Sequence, residues 1–106
     1  VRENRNLALL VDIEKGEIWR SQAQKRLTPA ERRVLTLLKN REGRPVPPQV
    51  ITLELDRDPA GDGGGSPRYH ILNLRRKLGH SEDRPIIMTA IGGGYYLVYG
   101  ALRFIP

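Results

Sequence analysis

The sequence contains no cysteine. A disulfide framework and a thiolate metal site are therefore excluded, and the composition agrees with a reducing, cytoplasmic setting. Its two histidines, His70 and His80, are far apart in the chain. Two isolated imidazoles do not supply the ligand set of a zinc site, so neither a metal nor another cofactor is expected. No apolar run approaches the ~18 residues of a membrane span. The opening stretch Val1-Arg2-Glu3-Asn4-Arg5-Asn6 holds no signal-peptide h-region, and with no initiator Met the chain is expected to be a fragment of a longer protein. Aromatics make up 6% of the residues and are spread along the chain, which gives little support to a stacking platform for single-stranded nucleic acid. Carboxylates are scattered rather than paired, and no Gly-x-Ser-x-Gly or nucleophile with a recognisable base occurs. The glycines between Asp56 and Gly65 are not followed by Gly-Lys-Ser/Thr, so they do not read as a phosphate cradle. An enzyme is not expected.

What is present is one domain's worth of chain: 106 residues with 39% hydrophobic content. That supports a single modest core over residues 1–106 and little disorder. The net charge is +6. Such a balance attracts polyanions, either nucleic acid or an acidic membrane surface, or else is a solvated surface with no partner. The placement of the charge decides between these.

Residues 7–27 read as a small antiparallel sheet: Leu7–Val11, then a turn over Asp12–Glu17, Glu17–Arg20, and an extended stretch ending at Leu27. Trp19 reads as a core or sheet residue. Thr28-Pro29-Ala30-Glu31 is a helix start with a capping hydroxyl, proline in the first position and a capping-box glutamate. Val34, Leu35, Leu37 and Leu38 supply its apolar stripe and Gly43 its stop. After Arg44-Pro45-Val46-Pro47, Pro48 opens a short second helix with Val50, Ile51 and Leu55 as buried candidates. Asp56–Gly65 reads as a flexible loop. Ser66-Pro67 opens a third helix that Gly79 closes. Strands over Ile86–Ile91 and Tyr95–Tyr99, joined by Gly92-Gly93-Gly94, form a hairpin. Tyr95 and Tyr96 alternate on it, one facing in and one out.

The third helix carries the functional argument. Ile71, Leu74 and Leu78 share one face and form its seam to the core. The opposite face presents Tyr69, Asn73 and Arg76 with Leu72 beside them, flanked by Arg68, Arg75 and Lys77. No acidic residue lies between Pro67 and Leu78, although the chain has 12. A solvated helix ordinarily mixes signs for i,i+4 pairing. A helix of one sign suits a polyanion, with a solvent-facing basic helix as the alternative. Arg68, Arg75, Arg76 and Lys77 can neutralise phosphates and release counterions, which supplies affinity without sequence information. Asn73 can grip adenine and Arg76 guanine through paired hydrogen bonds in the major groove. Tyr69 can bond a phosphate or pack on a base edge, and Leu72 can touch a thymine methyl or pack under the hairpin.

Leu27-Thr28-Pro29-Ala30-Glu31, the apolar helix after it, His70-Ile71-Leu72-Asn73-Leu74-Arg75-Arg76-Lys77-Leu78 and Ile91-Gly92-Gly93-Gly94-Tyr95 occur in this order. The set resembles the OmpR/PhoB-type winged-helix DNA-binding domain of transcriptional regulators. That family's pattern is Leu-Thr-x-x-Glu, a recognition helix ending like His-Ile-x-x-Leu-Arg-x-x-Leu, and a wing with Gly-x-Gly-Tyr. The resemblance implies an α+β winged helix-turn-helix: a four-stranded N-terminal sheet, three helices and a C-terminal hairpin wing. It implies sequence-specific binding of double-stranded DNA as head-to-tail dimers, with the third helix in the major groove and the wing at the adjacent minor groove or backbone. It also implies contact between RNA polymerase and the loop joining helices two and three. A receiver or sensor domain elsewhere in the full chain would make the protein a two-component response regulator. By position, Tyr69 and Asn73 are similar to base-facing residues. Ser66, His70 and Arg75 are similar to phosphate contacts, and Thr89 and wing residues such as Gly93 to backbone or minor-groove contacts.

The sequence departs from the family where arginines are common and Leu72 and Asn73 stand instead, and where a basic residue precedes the wing glycines and Ile91 stands instead. Arg32 replaces a frequent aromatic, and Glu54-Leu55-Asp56 lacks the usual tryptophan. Leu72 and Ile91 support a rival reading, a degenerate winged helix that binds protein through an apolar patch joining the third helix to the wing.

Overall fold

The structure is a computed structural model that describes residues 9–20, 23–57 and 65–105. Its strands are β1 (Leu10–Asp12), β2 (Glu17–Arg20), β3 (Ala23–Arg26), β4 (Ile87–Thr89), β5 (Tyr95–Leu97) and β6 (Arg103–Phe104). Its helices are α1 (Pro29–Asn40), α2 (Pro48–Asp56) and α3 (Pro67–Leu78). This is the α+β winged-helix arrangement expected from the sequence. Leu7 and Ala8 of the expected first strand, residues 21–22 and most of the Asp56–Gly65 loop (residues 58–64) lie outside the described residues.

The first three strands pair antiparallel, Val11 opposite Ile18 and Ile18 opposite Lys25. Strand alternation turns Val11 and Ile18 inward, where both are buried with Leu9 and Leu27. The connection between β1 and β2 is held locally: the Lys15 N–H donates to Asp12 Oδ1 at 3.1 Å and the Gly16 N–H to the Ile13 carbonyl at 3.1 Å. Arg32, on α1, donates to the carbonyls of Ile13 and Glu14 and fastens this turn to the helix.

The sheet differs from the N-terminal four strands expected of it. Its order is β3-β2-β1-β6, and the fourth strand comes from the C-terminal segment and runs parallel to β1. This segment is fastened further by Gly100, whose N–H donates to Glu42 Oε2 at 2.7 Å, and by Lys39, whose ammonium lies 5.1 Å from the Phe104 ring centroid.

The capping box at α1 is complete: Thr28 Oγ1 accepts from the Glu31 N–H at 3.1 Å and Glu31 Oε1 accepts from the Thr28 N–H at 2.9 Å. Two orphan donors of the first turn are thereby satisfied reciprocally. Ala30, Val34, Leu35 and Leu38 line the buried face. The helix ends before Gly43, which instead turns at φ 82° and donates to the Leu97 carbonyl at 2.9 Å, joining the end of α1 to the wing. In α2, Ile51 and Leu55 are buried and Val50 is half-buried against the same core.

The helices meet the hairpin through Val46, which is fully buried and exchanges both backbone hydrogen bonds with Tyr95 at 2.7 and 3.0 Å. The residue before this tyrosine must be small. A Cβ at Gly94 would lie 2.8 Å from the Val46 carbonyl oxygen, and its φ of 95° is strained for any other residue. Together these contacts fasten the wing to the end of α1 and the α1–α2 connection.

Candidate nucleic-acid interface

The exposed face of α3 follows from its ends and its seam. Ser66 caps the start, its Oγ accepting from the Tyr69 N–H at 3.2 Å. Among the described residues no acceptor takes its hydroxyl proton. At the other end Gly79 adopts the left-handed φ of 77°. Arg20, from β2, donates to the Leu78 carbonyl at 3.3 Å in the space a side chain at Gly79 would take. Ile71, Leu74 and Leu78 are fully buried, as their spacing predicts.

With that seam inward, Arg68, Tyr69, Leu72 and Arg76 are exposed and Asn73 is half-buried beside them. Among the described residues, no carboxylate pairs with Arg68 or Arg76. His70 is placed differently from the phosphate-facing position expected of it. It is 4% exposed, next to the seam, with the Tyr69 ring edge-on at 5.1 Å. In the free chain the ring is therefore covered rather than presented to solvent.

The flanking cations are less available than the sequence suggests. Lys77 turns away from the exposed face. Its ammonium lies 2.7 Å from Glu31 Oε1 and 2.9 Å from the Arg26 carbonyl. Glu31 is 2% exposed, and a buried carboxylate requires a partner of this kind. Lys77 is thus engaged within the chain, at a position where the sequence suggests a phosphate contact. Arg75 turns toward the wing, donating through Nε to the Ile87 carbonyl at 2.8 Å and through Nη2 to Thr89 Oγ1 at 3.0 Å.

The wing presents a neutral surface: no charged residue occurs from Pro85 to Leu102. Thr89, Ile91, Gly92 and Gly93 are exposed at or beside the tip, Ile91 completely. Tyr95 and Tyr96 are both half-buried, and Tyr95 is the one packed against the core.

The loop from α3 into the wing is organised by His80. Its Nδ1 accepts from the N–H groups of Ile86 and Ile87 at 3.0 and 3.3 Å. Burial disfavours the imidazolium and the Arg75 guanidinium repels it, so the His80 pKa lies below its ordinary value of 6.5. The neutral ring is the form that accepts at Nδ1. Sequence reasoning did not find this role, nor that of Arg20, nor the pairing of Glu31 with Lys77, because each joins residues of different segments.

Elsewhere, a cleft of about 450 Å³ runs between α1, the β1–β2 turn and α2, lined in part by Arg32, Arg33 and Glu54. Its charged groups are already engaged: Arg33 pairs with Glu54 at 3.2 Å and Arg32 holds the turn carbonyls. Among the described residues, no cluster of His, Asp and Glu could hold a metal ion, and no helix is long and apolar enough to cross a membrane.

No curated protein matches the chain significantly. The family model described as "Transcriptional regulatory protein, C terminal" matches residues 22–97. The match runs from β3 through α1, α2 and α3 to the end of β5, so it contains the capped α1, the exposed face of α3 and the wing glycines. The chain belongs to this family, the OmpR/PhoB-type C-terminal DNA-binding domains of transcriptional regulators.

Proposed function

We propose that the chain binds double-stranded DNA in a sequence-specific manner, with α3 in the major groove and the wing at the adjacent minor groove. The observation that carries this reading is the outer face of α3. Arg68 and Arg76 stand on it without a carboxylate partner among the described residues, and Tyr69 and Asn73 stand beside them. Arg68, Arg76 and the Ser66 hydroxyl serve phosphates, which position the helix. Asn73, Tyr69 and Arg76 read base edges, and Leu72 lies against a thymine methyl. Thr89 and Gly93 approach the backbone from the wing. Family membership supports further partners: a second copy head-to-tail on a direct repeat, RNA polymerase at the α2–α3 loop, and a receiver or sensor domain in the longer regulator. The setting is the cytoplasm, where such DNA is found.

The test is a selection of bound duplexes with the parent and with Asn73→Ala. The variant should lose discrimination at one position, by about 1–3 kcal/mol for a lost paired contact. Identical preferences in the two proteins would remove Asn73 from the reading.

A second reading is favoured by Leu72 and Ile91, which are 46% and 105% exposed. Apolar groups on both α3 and the wing suit a protein partner. Under that reading a folded sample ignores duplex DNA at low salt, and Ile91→Ser abolishes the protein contact instead.

A further inference from the structure

Arg75 stands where charge counting on α3 would place a phosphate ligand, yet its guanidinium faces the protein. Nε bonds the Ile87 carbonyl at 2.8 Å, Nη2 bonds Thr89 Oγ1 at 3.0 Å, and the guanidinium carbon lies 5.9 Å from the Tyr95 ring centroid. The same strand is gripped from its other polar group. The Ile87 N–H donates to His80 Nδ1 at 3.3 Å, and the His80 backbone N–H donates to the Arg75 carbonyl at 2.9 Å. Both main-chain groups of Ile87 therefore end on α3 or on the residue just beyond its cap.

The wing has need of such a fixture. Its ladder is three residue pairs long, Ile87–Leu97, Met88–Tyr96 and Thr89–Tyr95. A two-stranded hairpin of that length has little stability of its own. With no charge between Pro85 and Leu102, it has no cation of its own to anchor it to phosphates. Its placement rests on Ile87 and Leu97 in the core, on the hydrogen bonds of Leu97 with Gly43 and of Tyr95 with Val46, and on Arg75 from α3.

We propose that Arg75 is a positioning residue, whose planar guanidinium clamps β4 to α3 and so sets the spacing between the helix and wing contacts on DNA. A guanidinium can bond the carbonyl and the hydroxyl at once through two N–H groups in fixed relation; an ammonium at the end of a lysine does not reproduce that fork. The consequence for binding rests on the DNA-binding reading, whereas the clamp itself is a property of the free chain.

The experiment uses the whole chain with Arg75→Lys, Arg75→Met and Thr89→Val. Backbone heteronuclear NOEs and amide exchange from Ile87 to Tyr95 report wing order without DNA. Fluorescence anisotropy with a labelled duplex at several salt concentrations reports binding. Arg75→Lys should lower wing order and weaken binding on the order of tenfold, with the slope of log affinity against log salt unchanged. Thr89→Val should move wing order in the same direction, and the double variant should lose less than the sum of the singles. The proposal is overturned if Arg75→Lys keeps parental wing order. It is equally overturned if Arg75→Met lowers the salt slope by about 0.9, one phosphate's worth, with the wing undisturbed. Should the parent ignore duplex DNA altogether, the DNA-binding reading fails while the NMR comparison still decides the clamp.

Discussion

Lys77 and Glu31, separated by 46 residues, meet at 2.7 Å, the ammonium of α3 on the capping carboxylate of α1. Glu31 also accepts from the Thr28 N–H, and Lys77 also donates to the Arg26 carbonyl. One hydrogen-bonded group thus joins the end of β3, the start of α1 and the last turn of α3. A residue whose place on α3 suggests a phosphate contact is hydrogen-bonded into the scaffold that orients that helix.

Replacing Lys77 by Met should therefore act on stability. The nearly buried Glu31 carboxylate would keep its cap but lose its cation. A hydrogen bond to a charged group is worth about 1.5–3 kcal/mol, and urea unfolding should show a loss of that order. The salt slope of duplex binding should stay at the parental value. A stable variant with a shallower slope would return Lys77 to the interface.

Arg68→Ala and Arg76→Ala should behave in the opposite way. Both side chains are exposed and lack a carboxylate partner among the described residues, so their removal should leave the unfolding midpoint nearly unchanged. Each should lower the salt slope by about 0.9 if it neutralises one phosphate. Parental slopes in both variants would show that the outer face of α3 does not meet the backbone.

His80 makes stability depend on pH. Its folded pKa lies below 6.5, so the unfolded chain takes up the proton first. The stability that the neutral ring contributes is present above pH 6.5 and is lost as pH falls through the folded value. Thermal unfolding of the parent should decline over that window, and His80→Gln should decline less. An NMR titration of the ring that gives a pKa above 6.5 would contradict the acceptor role toward Ile86 and Ile87.

Gly94→Ala tests the attachment of the wing. The added Cβ would lie 2.8 Å from the Val46 carbonyl and the residue would have to hold a φ of 95°. Backbone strain of this kind costs about 1–3 kcal/mol. Gly92→Ala has the strained φ but nothing within 4 Å, so it should cost less. Equal effects would mean that the approach of Val46 is not a constraint.

The local signals in the sequence located much of this. Thr28, Pro29 and Glu31 marked the start of α1, Ser66 and Gly79 bounded α3, and Ile71, Leu74 and Leu78 gave its seam. Each depends on neighbours within a turn or two. The direction of the flanking cations did not follow, because Lys77 and Arg75 are turned by partners on β3, α1 and β4. His70 was assigned by its position in the family pattern, whereas its place beside Ile71 and Leu74 buries it in the free chain. The β6 strand pairs two residues with β1 across most of the chain, and so short a segment has no periodicity to read. Two of the four cations expected on α3, Arg75 and Lys77, are accordingly hydrogen-bonded within the chain.

The central claim is that this chain binds duplex DNA through phosphate neutralisation by the outer face of α3. Its most direct test is fluorescence anisotropy of the parent chain with a generic labelled duplex, titrated at several salt concentrations. The expected result is binding at low salt whose logarithm falls linearly with log salt, with a slope of about −0.9 for each phosphate neutralised. No binding at low salt by a folded sample would contradict the account and favour a protein partner at Leu72 and Ile91.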